Sequence, residues 1–476
     1  MRYWLPLILF CACLLAGCQE ERVSDDASLR LSFSSDTLSF DTVFTAQGSS
    51  TAQLMVYNRN KSALLIDRVW LDNGEVFRVN VDGEPELERL THLQLNGGDS
   101  LFVFIRVEIN PTGENKPVLI SDRLHFHLKT GVTQDVLLQA YGQNVKRLGK
   151  SFLANYTFTN TLPYLLSDTI VVNGKMTIEA GATLYFHNNA CLYAQGDVEA
   201  LGTLEQPIVL RGDRLDNLFD SVPYSYAGGG WNGLYIVTDQ TPHTYDLRYV
   251  DILSGNVGLY CASNCTGELP QLTMDGCRIH NHTLYGLVLM NVDARVTNTE
   301  ISNCASYCVY CSGGRHEFIH STIASYFGFT NIRIQSVGKE DAAAVYIDNL
   351  SKTDPHTQTS FYNSIITGYR SNQLVVATPL DRFYEGVFAG NYLKTDTLHL
   401  THAMDNVYWQ KTDTMPVFRN DFYKYKEYIY YDFRLDSLSP AIGIGDSIAA
   451  LPYPTDREGV TRAMMKPDAG CYQHLP

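Results

Sequence analysis

The sequence predicts an all-β chain: a β-sandwich over residues 29–146, a parallel β-helix over 147–430 and a capping segment over 431–476. Three observations predict it. The first is a phrase that recurs as Tyr249-Val-Asp-Ile252, Gly276-Cys-Arg-Ile279, Asn298-Thr-Glu-Ile301 and His320-Ser-Thr-Ile323, its isoleucines 27, 22 and 22 residues apart. A fifth copy ends at Ile366, 43 residues on, a distance that predicts two further turns. Self-similarity at such a period marks a solenoid. The second is the apolar run that follows each phrase, as at 257–261, 285–289 and 307–311, rich in aromatic and β-branched residues and bounded by Gly, Asn and Ser, which argues strand against helix. The third is a set of short alternating runs, 52–57, 63–70, 101–107, 124–128 and 135–140, separated by turn signals such as Asn73-Gly74 and Asn110-Pro111. Strands spaced in this way suggest a sandwich.

Taken in order, the chain opens with Arg2, an apolar stretch from 5 to 15 that is too short to span a bilayer, and Leu15-Ala16-Gly17-Cys18. These four residues resemble the bacterial lipobox. The resemblance implies removal of residues 1–17, lipidation of Cys18 and attachment to a membrane through that lipid. Gln19, in place of an aspartate, implies the outer membrane, and Glu20-Glu21 resembles a surface-export signal. Residues 18–28 read as an acidic tether.

Within 29–146, Val56-Tyr-Asn-Arg-Asn60, Phe77-Arg-Val79, Asn96-Gly-Gly-Asp-Ser100, the stretch 107–111 and Leu137-Leu-Gln-Ala-Tyr-Gly142 resemble, in that order, the Ig-like sandwiches of the ASH/hydin type. Such domains serve as spacers or adaptors. Further on, Glu179-Ala-Gly-Ala-Thr-Leu184 and Gly228-Gly-Gly-Trp-Asn-Gly233 resemble the opening coils of bacterial right-handed parallel β-helix proteins, with Trp231 placed to close the lower end of the core. The tail carries Asp432-Phe-Arg-Leu435, Ser439-Pro-Ala-Ile442, Asp456-Arg-Glu-Gly459, Arg462 and Asp468-Ala-Gly470, similar to the C-terminal segment of surface-anchored β-helix proteins of the pectate-lyase-like class. Cys471 and Gln473 depart from that pattern. A solenoid's last coil exposes an apolar cross-section, which the tail would cover.

The formal charge of −15 argues against nucleic acid and anionic membrane faces as partners. Eight cysteines follow Cys18. Several fall on apolar strand positions and read as buried thiols; Cys304 with Cys308 and Cys261 with Cys265 are the pairs placed to bridge if any do. Cys304, Cys308 and Cys311 also match the spacing of a radical iron–sulfur motif, but within a repeat unit of an exported chain this is coincidence, and no cofactor or metal is expected.

Two columns stand out in the repeat. Ser254, Asn281, Asn303, Ser325 and Gly368 follow the isoleucines by two and read as a polar corner ladder. Asp251, Arg278, Glu300 and Thr322 precede them and face outward. β-Helices host polysaccharide lyases and hydrolases, which need carboxylates with a base or paired at fixed separation. Asp251, Arg278 and Glu300 are therefore catalytic candidates, against the plainer reading of a solvated charge ladder. Tyr224, Tyr226 and Trp231, in an insertion beside the coils, are candidates for stacking on sugar. Nine Asp-Ser/Thr-aliphatic triplets, at Asp36, Asp41, Asp99, Asp168, Asp220, Asp396, Asp413, Asp436 and Asp446, resemble an O-glycosylation sequon of gut Gram-negative bacteria, and equally read as turns entering strands. The expected function is a lipid-anchored surface protein with a binding or structural role toward polysaccharide or another surface protein. The alternative is a polysaccharide lyase or glycoside hydrolase.

Overall fold

The computed structural model describes residues 22–219, 222–327, 343–348, 356–377, 386–395, 404–405, 407–410, 415–420 and 431–475. The leader with Cys18, and the triplets at Asp220, Asp396 and Asp413, lie outside them. Its regular secondary structure is nearly all strand, and the chain divides into two compact units, 1–144 and 145–476.

The first unit is an Ig-like sandwich. One sheet runs Ser32–Phe33, Ala52–Tyr57, Ser100–Val107, Phe77–Val81. The other runs Thr37–Phe44, Thr133–Gln143, Val118–Leu128, Leu64–Leu71, Leu93–Leu95. Pairing is antiparallel except between Thr37–Phe44 and Thr133–Gln143, which run parallel with a register shift between Ser39 and Thr42. Alternation builds the core: in Ser100–Val107 every second residue is buried, and Leu54, Val56, Val103, Ile105, Phe126 and Leu138 are fully so. Each such side chain stabilises by about 1.5–3 kcal/mol. The motif residues have structural work. Buried Asn58 donates through Nδ2 to the carbonyls of Ser62, Leu95 and Asn96 (2.9, 2.9 and 3.0 Å). A Cβ on Gly97 would stand 2.5 Å from the Lys61 carbonyl oxygen, so only glycine lets these segments touch.

The second unit is a parallel β-helix with three sheets of eleven, nine and ten strands, every pair parallel. One coil is Arg278–His282, Tyr285–Met290, Asp293–Thr297; the next is Glu300–Cys304, Tyr307–Ser312, Gly314–Ile319. The repeat's isoleucines stack in one file: Ile252 on Ile279, Ile279 on Ile301, Ile301 on Ile323 and Ile323 on Ile366, all fully buried. The 43-residue gap is therefore a single coil, not two turns.

Trp231 is also placed differently from expectation. Four strands of the first sheet precede it, and it lies inside the core, stacked on Phe186 at 4.0 Å, with its indole N–H donating to the Leu253 carbonyl at 2.8 Å. The polar column is partly left-handed: Ser254, Asn281 and Asn303 have φ of 64°, 61° and 55°, while Ser325 and Gly368 do not turn this way. Asn303 Oδ1 accepts from the Tyr326 N–H of the next coil at 3.0 Å. A more regular corner is the first position of the phrase itself, where Tyr249, Gly276, Asn298, His320 and Asn363 all have φ between 46° and 64°. All eight described cysteines are free and buried, so neither suggested bridge forms. Burial raises the thiols of Cys277 and Cys311 to about 12, which keeps them protonated.

Candidate functional site

The outward column of the first sheet exists in register: Asp251 pairs with Arg278, Arg278 with Glu300 and Glu300 with Thr322. It is not solvated, because residues 431–475 lie over it. This C-terminal cap is laid along a flank of the cylinder, since its anchoring partners sit on successive coils. Arg457 donates to Asp251 at 2.7 Å and to the Cys277 carbonyl at 3.3 Å. Arg462 donates to Asn298 at 2.7 Å, Tyr472 to Glu300 at 2.5 Å, and the Cys471 N–H to Thr322 at 3.0 Å. Asn363 meets Asp446 and the Gly470 N–H. The motif carboxylates shape the tail itself: Asp456 accepts from the N–H groups of Glu458, Val460 and Gln473, and Asp468 from those of Gly443 and His474. Gln473, one of the departures from the family pattern, donates its amide to Asp468.

Between tail and coils lies a pocket of ≈ 250 Å³ that includes Tyr226, Arg278, His280, Glu300, Phe433 and Tyr472. The sequence candidates Arg278, Glu300 and Tyr226 thus converge, with Asp251 just behind. Their charges are already engaged. Asp251 sits between Arg278 at 3.3 Å and Arg457 at 2.7 Å. Glu300 accepts from Ser302 at 2.7 Å and from Tyr472. Burial alone would depress Arg278 and Arg457. For Arg278, Asp251 and Glu300 outweigh it; for Arg457, Tyr472 does so together with the same two carboxylates, and both guanidiniums stand above their usual value. Burial, with Arg278 beside it, pulls His280 down to about 3, so its imidazole is neutral at physiological pH. Burial and Glu300 push the Tyr472 phenol well up. The arrangement clamps the tail; it leaves neither a poised acid–base pair nor a free carboxylate couple.

The other two faces differ from this one and from each other. The third sheet carries exposed ion pairs, Lys175–Glu199, Arg248–Asp246 and Arg295–Glu317, at 2.6, 2.7 and 2.9 Å. The second sheet carries a file of Val171, Tyr193, Tyr235, Tyr260, Val288, Tyr310, Tyr346 and Val375, flanked by Tyr285 and Tyr307. At about 4.8 Å per strand this row is about 34 Å long. Its tyrosines are half-buried and stack on one another: Tyr193 on Tyr235 at 4.7 Å, Tyr310 on Tyr346 at 5.7 Å. Among the strand residues of this sheet only Asp348 is an acid or a base of the Asp, Glu, Lys, Arg or His kind, and the Tyr310 hydroxyl donates to it at 3.0 Å.

Of the remaining sequence candidates, Trp231 is wholly buried and has no face for a sugar. Tyr224 is half-buried under the Arg214 guanidinium, 4.3 Å from its ring centre. Cys304, Cys308 and Cys311 are buried thiols of the coil interior. The tyrosine file was overlooked. Its signal is one aromatic per second apolar run, in step with the period, as in Val257-Gly-Leu-Tyr260 and Tyr307-Cys-Val-Tyr310.

Fold and site together define a two-unit, all-β protein: an Ig-like sandwich and a parallel β-helix strapped by its own C-terminus. No protein-family profile matches the chain, and no curated protein matches it. Solved structures similar to part of it include the VesB protease of Vibrio cholerae (13% identity, 24% of this chain and 31% of that one, TM-score 0.18). A protein of unknown function from Porphyromonas gingivalis matches at 14% identity over 25% of this chain and 59% of its own, with TM-score 0.19. The ASH/PapD-like domain of human CEP192 matches at 11% over 27% and 92%, with TM-score 0.17. The chain spans 31%, 59% and 30% of the first three structures it matches.

Proposed function

We propose that this is a lipid-anchored protein of the outer-membrane surface, of the pectate-lyase-like β-helix class, whose solenoid binds a glycan without cutting it. The observation that supports this best is the tyrosine file. A charge-depleted, tyrosine-rich strip on a rigid sheet has the composition of an interface core. Tyrosine supplies wide amphipathic contact at low entropic cost, and tyrosines spaced along one file, broken by Val288 between Tyr260 and Tyr310, suit a polymer rich in hydroxyls. The engaged state of Asp251, Arg278 and Glu300 favours binding over turnover. The lipobox supports the anchor at Cys18.

The test is a polysaccharide panel presented to the full chain, with Tyr193→Ser/Tyr235→Ser/Tyr260→Ser as the comparison. Retention of a glycan without release of oligosaccharide, lost in the triple variant, is expected. Release of product that disappears in Glu300→Gln or Arg278→Gln would establish the lyase or hydrolase reading instead. Capture of a surface protein in place of any glycan would reassign the strip to protein–protein contact. Labelled palmitate entering the wild-type chain but not Cys18→Ala checks the anchor.

A further inference from the structure

The sandwich carries a groove that its reading as a spacer does not use. It encloses ≈ 990 Å³, and its lining includes Arg68, Trp70, Arg78, Phe104 and Arg106. That volume lies at the upper end of ordinary ligand sites.

Three arginines line it in a chain whose formal charge is −15. Arg78 and Arg106 are directly opposed across adjacent strands. Like charges so placed destabilise a sheet. Their compensation is thin. Arg106 has Glu108 only at 3.9 Å, and both residues are more than half exposed. Arg78 uses one nitrogen, Nη1, on the carbonyls of Gly74 and Glu75 (3.1 and 3.0 Å). Arg68 makes no ion pair among the described residues; its guanidinium lies 4.8 Å from the Trp70 ring centre. The lining also holds two acids, Glu86, which is paired with Arg89 at 2.7 Å, and Glu88, so the arginines outnumber the acids by three to two. The aromatic walls are ordered as well. Trp70 is held by a stack on His125 at 4.9 Å, and His125 is fixed by Asp72 at 2.8 Å. Phe104 is 41% exposed and stacks on Phe102 at 6.1 Å.

We infer that this groove binds an anionic polysaccharide, its sulfate or carboxylate groups between Arg68, Arg78 and Arg106 and its sugar faces against Trp70 and Phe104. Guanidinium forks match the oxygens of such groups. An anion between Arg78 and Arg106 turns a repulsive pair into a bridged one. The chain's overall negative charge disfavours a long, uniformly charged polymer such as nucleic acid and leaves a local site for a sparser one.

The experiment titrates the full chain in detergent with dextran sulfate and with unmodified dextran of equal length. Dextran sulfate binds and dextran does not. Raising salt from 0.05 to 0.5 M weakens binding about tenfold or more as the charges are screened. Arg68→Gln/Arg106→Gln weakens it at least tenfold with an unchanged melting temperature, since both side chains are exposed, while the tyrosine triple variant of the solenoid binds normally. Absence of dextran sulfate binding, or binding that the arginine variant does not alter, overturns the inference. So does an oligothymidylate of equal charge that binds as tightly through the same arginines, because the groove would then be reading charge alone. None of these outcomes depends on the tyrosine file.

Discussion

Replacing Arg457 by methionine removes the clamp that holds the tail to the coils. Arg457 and Asp251 each have only 14% of their side chain exposed and meet at 2.7 Å. Breaking a buried pair by removing one partner costs about 3–5 kcal/mol, because the other charge is stranded. Asp251 keeps Arg278 at 3.3 Å, which places the loss near the lower end, about 3 kcal/mol. The lost hydrogen bond to the Cys277 carbonyl adds about 1 kcal/mol. The effect is local. Hydrogen exchange over residues 431–475 accelerates by about a hundredfold or more, while amides of the stacked isoleucine strands stay protected. In Arg457→Met/Asp251→Leu the Arg278 guanidinium loses its own partner, so the protection does not return. As a reference, Arg295→Met on the third sheet breaks a pair whose side chains are 59% and 35% exposed, and costs less than about 1 kcal/mol. Tail exchange accelerated less than about fivefold in Arg457→Met would refute the account of the strap.

Three further outcomes follow from buried groups. Burial holds His280, His282 and His316 down at about 3, 3 and 4. Below pH 6.5 the unfolded chain therefore binds more protons than the folded one, and stability falls as pH drops from 6.5 toward 4, by up to about 1.4 kcal/mol per pH unit for each histidine. Urea midpoints at pH 7, 5.5 and 4.5 should decline in that order, and a flat series would contradict it. All eight described cysteines are buried and free, so alkylation followed by intact mass should add none quickly in the native state and eight after denaturation; a deficit of two marks a disulfide. Gly258→Ala places a Cβ 2.4 Å from Ile279 and 2.5 Å from the Gly286 carbonyl oxygen inside a coil, so overpacking lowers stability by about 1–3 kcal/mol, read from thermal melts.

Much of the fold is legible because each coil repeats one isoleucine in one phase, and a file of identical side chains leaves a period in the sequence. The sandwich is legible from Asn58 and Gly97, whose positions are fixed by backbone contacts. The gap before Ile366 misleads, because one longer coil and two ordinary coils consume the same number of residues. Trp231 misleads because glycines around an aromatic look the same at an end as in the interior. The outward column of Asp251, Arg278 and Glu300 is readable, but its cover is not: Arg457 meets Asp251 across 206 residues and Tyr472 meets Glu300 across 172, with no periodicity to announce either. Burial of that column turns a ladder that looked solvated into a clamp. The tyrosine file was within reach, since its period equals that of the isoleucines, but each tyrosine taken alone reads as a core residue.

The most direct measurement is a titration of the full chain with each retained uncharged polysaccharide, which the arginine groove of the sandwich does not bind, followed both for binding and for released reducing or unsaturated ends. Saturable binding that disappears in Tyr193→Ser/Tyr235→Ser/Tyr260→Ser, survives in Glu300→Gln and yields no new ends is the predicted result. Binding indifferent to the tyrosines, or ends that accumulate with wild type and not with Glu300→Gln, would contradict it.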